Sequence, residues 1–168
     1  MSPTRMLSVS LALVLGLVTL ACSSPNGDDR TATRVPDRTS FPPVSDLLDH
    51  RCGSFDCHGS TARNLRLYGH EGLRLDPAGR PSSNPNTTSA EYDASFLSTV
   101  TLEPELMSAV VAEGGASPER LTFVRKARGT EHHKGGTLMN EGDPQDRCIT
   151  EWLAGHADAA LCTRALAQ

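Results

Sequence analysis

Five cysteines constrain this chain more than any other feature. Cys22 closes an apolar run, residues 6–21, that follows the single positive charge of Arg5. That run is too short and too close to the start to read as a membrane span, and it has the form of an export leader. The other four cysteines fall in two close pairs, Cys52 with Cys57 and Cys148 with Cys162. An exported chain meets an oxidising compartment, where idle thiols are not expected, so each pair needs a use. The rest of the composition sharpens that need. Aromatic content is 4% with one Trp, which makes a thin core. Small domains in that position add a disulfide, a metal or a large cofactor.

Cys148 and Cys162 flank a short helical hairpin near the C-terminus. A disulfide there closes a loop of about 15 residues, worth on the order of 3 kcal/mol in the chain-entropy account. That leaves Cys52 and Cys57, in the stretch "HRCGSFDCHGS", with His58 directly after the second thiol. A c-type haem is held by two cysteine thioethers, with the adjoining His under the iron, usually as Cys-x-x-Cys-His. Here two further residues separate the cysteines, so the intervening loop must bulge outward, and Gly53 accepts the dihedrals this requires.

A haem also needs a ligand on its far face. The loop "TEHHKGGTLMNEG", residues 130–142, carries the candidates. Met139 gives His/Met ligation and a raised potential; His133 or His132 gives bis-His ligation and a lower one. Two other readings of the same residues stand beside this one. Cys52 and Cys57 form a second disulfide, and the protein is a structural or binding module. Alternatively, Cys52, Cys57, His58 and His133 hold zinc, a set made awkward by two adjacent ligands reaching one tetrahedral ion. The adjacency of Cys57 and His58 is what separates the haem reading from the disulfide, which has no need of a histidine.

The chain between these motifs reads as mainly helical. Residues 44–52 have apolar positions at helical spacing, with Ser45 or Asp46 as cap. Residues 65–75 alternate around Gly69 and Gly72, as a small hairpin or an extended wrap. Residues 76–89 are a Pro-, Asn- and Ser-rich surface loop. Three segments then share one grammar of a Pro start and a Gly stop: Pro104 to Gly114, Pro118 to Gly129 with Ser117 as cap, and Pro144 to Gly155 with Asp143 before it. Ile149, Trp152 and Leu153 share one face and predict burial. His50, His70 and His156 read as surface or capping residues, and Met107 as core. Arg125, Lys126 and Arg128 form either a solvated helix face or partners for haem propionates.

Two resemblances add to this. "LVTLAC" resembles the lipobox of bacterial lipoproteins, with Ala21 and Cys22 in place. The resemblance implies cleavage before Cys22, acyl chains on that residue, and stable anchoring to a membrane. Ser23, where an Asp would retain the protein at the inner membrane, points to the outer membrane of the bacterial cell envelope. The order "LLDHRCGSFDCHG", "FVRKARG", "EHHKGGTLM", "CITEWLAG" resembles small bacterial c-type cytochrome domains, in particular those in lipoproteins of myxobacteria and planctomycetes. There a His-x-Gly-Gly loop precedes a terminal Trp-Leu-x-Gly helix, matched here by His133 to Gly136 and by Trp152 to Gly155. The likeness spans residues 44–162 in islands, and residues 65–115 match nothing in it. It implies one haem c on Cys52 and Cys57, His58 as proximal ligand, and His133 or Met139 as distal ligand.

The expected layout is a leader over 1–21, a disordered tether over 22–40, whose residues 23–40 are almost free of apolar side chains, and a cytochrome c-like domain over 41–168. About four helices would surround a haem pocket, with an irregular middle section. The net charge of −4 becomes −5 when Arg5 leaves with the leader, which excludes a nucleic-acid partner. No Ser/His/Asp set or carboxylate pair has a spacing specific to hydrolysis. The expected function is electron transfer or redox sensing with a partner protein, as a carrier rather than a catalyst.

Overall fold

The computed structural model describes residues 33–76 and 85–168. The leader, Cys22 and most of the tether lie outside the described residues. Six α-helices and one 3-10 turn make up the described chain: α1 Pro42–Cys52, α2 Ser89–Val100, α3 Pro104–Ala112, the 3-10 turn Pro118–Arg120, α4 Thr122–Ala127, α5 Pro144–Leu153 and α6 Ala159–Leu166. The mainly α class holds, with six helices where about four were expected. Among the described residues no helix is long and apolar enough to cross a membrane.

The Pro-start, Gly-stop grammar holds at α3 and α5. Gly114 and Gly155 follow those helices at φ 66° and 80°, the left-handed stop that glycine reaches without a Cβ penalty. Asp143 caps α5 by accepting the Asp146 N–H at 2.9 Å. Two expectations need correction. First, α1 begins at Pro42 behind Phe41, without a side-chain cap. Ser45 is buried inside the helix instead of capping it, because Phe41 is drawn into the core and carries the helix start with it. Second, the single helix expected over 118–129 is broken. Ser117 sits at φ 51° and caps nothing, and Leu121 turns extended before α4 restarts. The restart is held by Glu103, whose carboxylate accepts the Thr122 N–H at 2.6 Å and its hydroxyl at 2.8 Å. Of the two readings of residues 65–75, hairpin or extended wrap, the wrap is the one formed. These residues carry one isolated bridge, between Tyr68 and Leu73, and no strand.

Helix α2 was not anticipated. Its N-terminus is a full capping box: the Thr88 hydroxyl accepts the Glu91 N–H, and the Glu91 carboxylate accepts the Thr88 N–H at 2.8 Å. Glu91 is also buried against Arg74, at 2.7 Å.

The core is built on three rings. Phe41 lies 5.4 Å from Phe96 and 4.9 Å from Trp152. Around them pack Val44, Leu47, Leu67, Val110, Leu121 and Leu153. Helices α5 and α6 pair closely, and both lie against α1. Cys148 and Cys162 join α5 to α6 as a disulfide with Cα atoms 5.0 Å apart. Residues 33–40, read from sequence as the end of the tether, run along this body. Pro36 is buried, the Trp152 indole N–H donates to the Asp37 carbonyl at 3.1 Å, and Arg38 bonds Asp93 at 2.7 Å. A buried indole N–H needs an acceptor, and this polar segment supplies it.

Candidate functional site

The turn between the two cysteines begins where α1 ends. Cys52 is the last helical residue, and the Gly53 N–H closes the helix on the Asp49 carbonyl at 2.7 Å. Residues 54–57 then fold outward. Cys57 and Gly59 both donate to the Ser54 carbonyl, at 2.8 and 3.0 Å, and His58 N–H returns to the Cys52 carbonyl at 2.9 Å. The bulge expected from the widened spacing is therefore a closed turn, with its base on Cys52 and Phe55 exposed at its tip. Its tightness depends on glycine: a Cβ on Gly59 would collide with the Gly53 carbonyl.

Cys52 and Cys57 both carry free thiols, so the second bridge required by the disulfide reading is not formed. The Cys52 pKa is pushed up to about 12, first by burial and then by the neighbouring Cys57, so the group stays a neutral thiol. His58 follows with its ring already oriented. Its Nδ1 lies 2.9 Å from the Leu65 carbonyl oxygen. A carbonyl only accepts, so the proton sits on Nδ1 and the lone pair on Nε2 is left for a ligand.

The far-face candidates separate clearly. His132 is exposed. Met139 is 5% exposed and belongs to the hydrophobic core, its backbone N–H on the Ala127 carbonyl at 3.2 Å. His133 is half-buried, and its Nδ1 is buried without a hydrogen-bond partner. On its other side Gly135 lies so close that a Cβ there would come within 2.7 Å of Nε2. Burial, then the charges of Lys126, His58 and His132, hold the His133 pKa below its ordinary value. The ring is thus kept neutral, the form that binds a metal.

Two participants were missed from sequence. Asp49 is 2% exposed, one turn before Cys52, with its Oδ2 accepting the Glu71 N–H at 3.0 Å and its Oδ1 buried and unpartnered. Arg51 stands directly before Cys52 and has a buried, unpartnered Nε. With His133 Nδ1, these are the three buried side-chain polar atoms without partners among the described residues. Two precede the first thiol on α1, and the third lies on the 130–142 loop. Such orphans are rare in a finished interior. Glycines at 53, 69 and 72 were the available signal for Asp49, since only a missing Cβ lets backbone approach a carboxylate from three sides.

His50 and His70, read as surface residues, are paired through Glu71, at 2.8 and 3.3 Å. The basic residues offered for propionates already have partners. Arg128 forks onto Asp146 at 2.7 and 2.9 Å, and Arg125 and Lys126 both meet Glu131, at 2.9 and 3.2 Å. Among the described residues no group of three or more His, Cys, Asp or Glu side chains is arranged to hold a metal ion, so the zinc set of Cys52, Cys57, His58 and His133 is not assembled. Comparison with protein-family models, curated proteins and solved structures finds no match to this chain.

Proposed function

We propose that this chain is an exported, lipid-anchored, single-haem c-type cytochrome-like protein that passes electrons or senses redox state. The observation that carries the proposal is the turn itself. Two free thiols and a histidine whose Nδ1 is engaged, leaving Nε2 open, stand within seven residues on one hydrogen-bonded loop. A disulfide needs no such histidine, and a solvated surface histidine needs no such anchor.

A haem fits these residues on three counts. Cys52 and Cys57 would form the thioethers, and His58 Nε2 would be the proximal ligand. His133 would be the distal ligand, favoured over Met139 because the methionine already has core neighbours while the His133 Nδ1 has no partner. Arg51 Nε, a donor without an acceptor beside Cys52, suits a propionate carboxylate better than the paired Arg125, Lys126 and Arg128 do. A bound haem supplies one-electron chemistry. The protein's own part is to hold the ligands, limit water and set the nearby charge, which tune the potential. The anchor at Cys22, a position in the bacterial envelope at the outer membrane, and a redox partner protein belong to the same proposal.

The test is expression with a periplasmic leader in a host carrying the cytochrome c maturation machinery. A denaturing gel stained for haem should show a covalent band in the wild type and none in Cys57→Ala or His58→Ala. Reduced-minus-oxidised spectra of His133→Ala and Met139→Ala then assign the distal ligand. A colourless wild-type protein under these conditions ends the haem reading.

A further inference from the structure

Asp49 is enclosed by glycine backbone. Gly53, Gly69 and Gly72 press their backbones on it so closely that a Cβ on any of them would collide with one of its oxygens. Oδ2 has one donor, the Glu71 N–H. Oδ1 has none. The cage is tight around it: a Cβ on Gly72 would meet Oδ1 and also lie 2.7 Å from the Gly53 carbonyl oxygen and 3.1 Å from that of Leu67. Oδ1 is therefore sealed in glycine backbone with no donor to offset a negative charge.

The neighbouring ionisable groups act in both directions. On its own helix, Asp46 adds negative charge and Cys52 is an acid whose ionisation Asp49 opposes. On the 65–75 wrap, Glu71 adds negative charge, and His70 Nδ1, at 3.9 Å, adds positive charge when protonated. On α2, Tyr92 donates to Asp46 at 2.8 Å and its own ionisation is opposed by Asp49.

We propose that Asp49 is a proton-held latch on the Cys52–His58 turn. While it carries its proton, the glycine cage closes on it and fixes Gly53, the first residue of the turn. When the proton passes to water, the carboxylate must be hydrated, and water enters only by parting Gly53 from Gly72. The turn, whose base is the Cys52 carbonyl, then loosens. The cage and the latch stand without a haem, so the inference goes beyond the function proposed above and does not rest on it.

Burial, the largest influence, pushes the Asp49 pKa up. Glu71 and Asp46 push the same way, while the Glu71 N–H and His70 pull back. With the folded pKa above the ordinary 3.8, the folded state binds the proton more tightly than the unfolded chain does. The associated stability is full below the ordinary value and is lost as pH rises through the folded one.

The experiment uses the full chain, with or without attached haem. Carbon NMR of the Asp49 carboxyl gives its titration midpoint. Amide hydrogen exchange of His58 and Gly59, corrected for intrinsic base catalysis, gives the opening of the turn across the same pH range. We expect a midpoint above that of an ordinary Asp, and exchange rising about tenfold beyond the intrinsic rate as pH crosses it. Asp49→Asn should give a flat profile. A midpoint at or below the ordinary value overturns the latch, as does an Asn variant that follows the wild-type profile. If Asp49→Asn does not fold, the wild type alone decides: the carboxyl and exchange midpoints coincide, or the latch is wrong. The haem-stain result is untouched by either outcome.

Discussion

The chain carries two cysteine pairs, and the fold treats them in opposite ways. Cys148 and Cys162 are both buried, lie on facing helices beside Trp152, and are bonded to each other. Nearby side chains are satisfied: Asp146 takes both prongs of Arg128, and the Trp152 indole has its acceptor. Cys52 and Cys57 are nearer in sequence, yet unbonded, and they sit on a turn with unpartnered Asp49 and Arg51 atoms on its helical side. The first pair completes a core. The second is held in a way that costs stability, through buried polar atoms left without partners.

That contrast can be broken by mutation. The largest expected stability effect lies on the finished side. Trp152→Ala removes the ring on which Phe41 and Phe96 pack, and should lower the unfolding free energy in urea by about 3–5 kcal/mol. Arg128→Ala comes next, at about 3 kcal/mol, because it strands the buried Asp146 carboxylate. Replacing Cys148 and Cys162 together by Ala should cost about 2–4 kcal/mol. The same double replacement at Cys52 and Cys57 should cost under about 1 kcal/mol in the haem-free protein while abolishing any covalent haem. Equal losses from the two double variants would mean that the comparison is mistaken. Glu103→Ala should cost about 1 kcal/mol, read as earlier melting of α4 by amide exchange. The smallest effect is a titration. With its pKa held low, the His133 ring should protonate below the ordinary histidine value in imidazole-proton NMR. Its folded form binds a proton less readily than the unfolded chain, so its contribution to stability fades as pH falls through that folded pKa.

Much of the fold was legible because it is written locally. Pro104 and Pro144 begin helices, Gly114 and Gly155 end them, and each signal acts over three or four residues. The α2 capping box was equally local, in Thr88 and Glu91, and was obscured by the Pro- and Ser-rich run before it. The break at Leu121 was illegible for the opposite reason. It is set by Glu103, nineteen residues away, which takes the Thr122 N–H. At the candidate site, Cys52, Cys57, His58 and His133 stood out by residue type and spacing. Met139 looked level with His133, since a methionine in a Gly-rich loop reads the same whether it faces a ligand or the core.

By itself the sequence determined the helical class, the pairing of Cys148 with Cys162, and the residues proposed for the site. Those follow from short-range backbone rules and from the spacing of the cysteines. Only the tertiary structure decided that His58 is anchored on Leu65, that Met139 is core, and that Asp49 is sealed under three glycines beside the turn. Each of these depends on which backbone closes over which side chain. That is settled by packing between segments distant in sequence, and no local pattern encodes it.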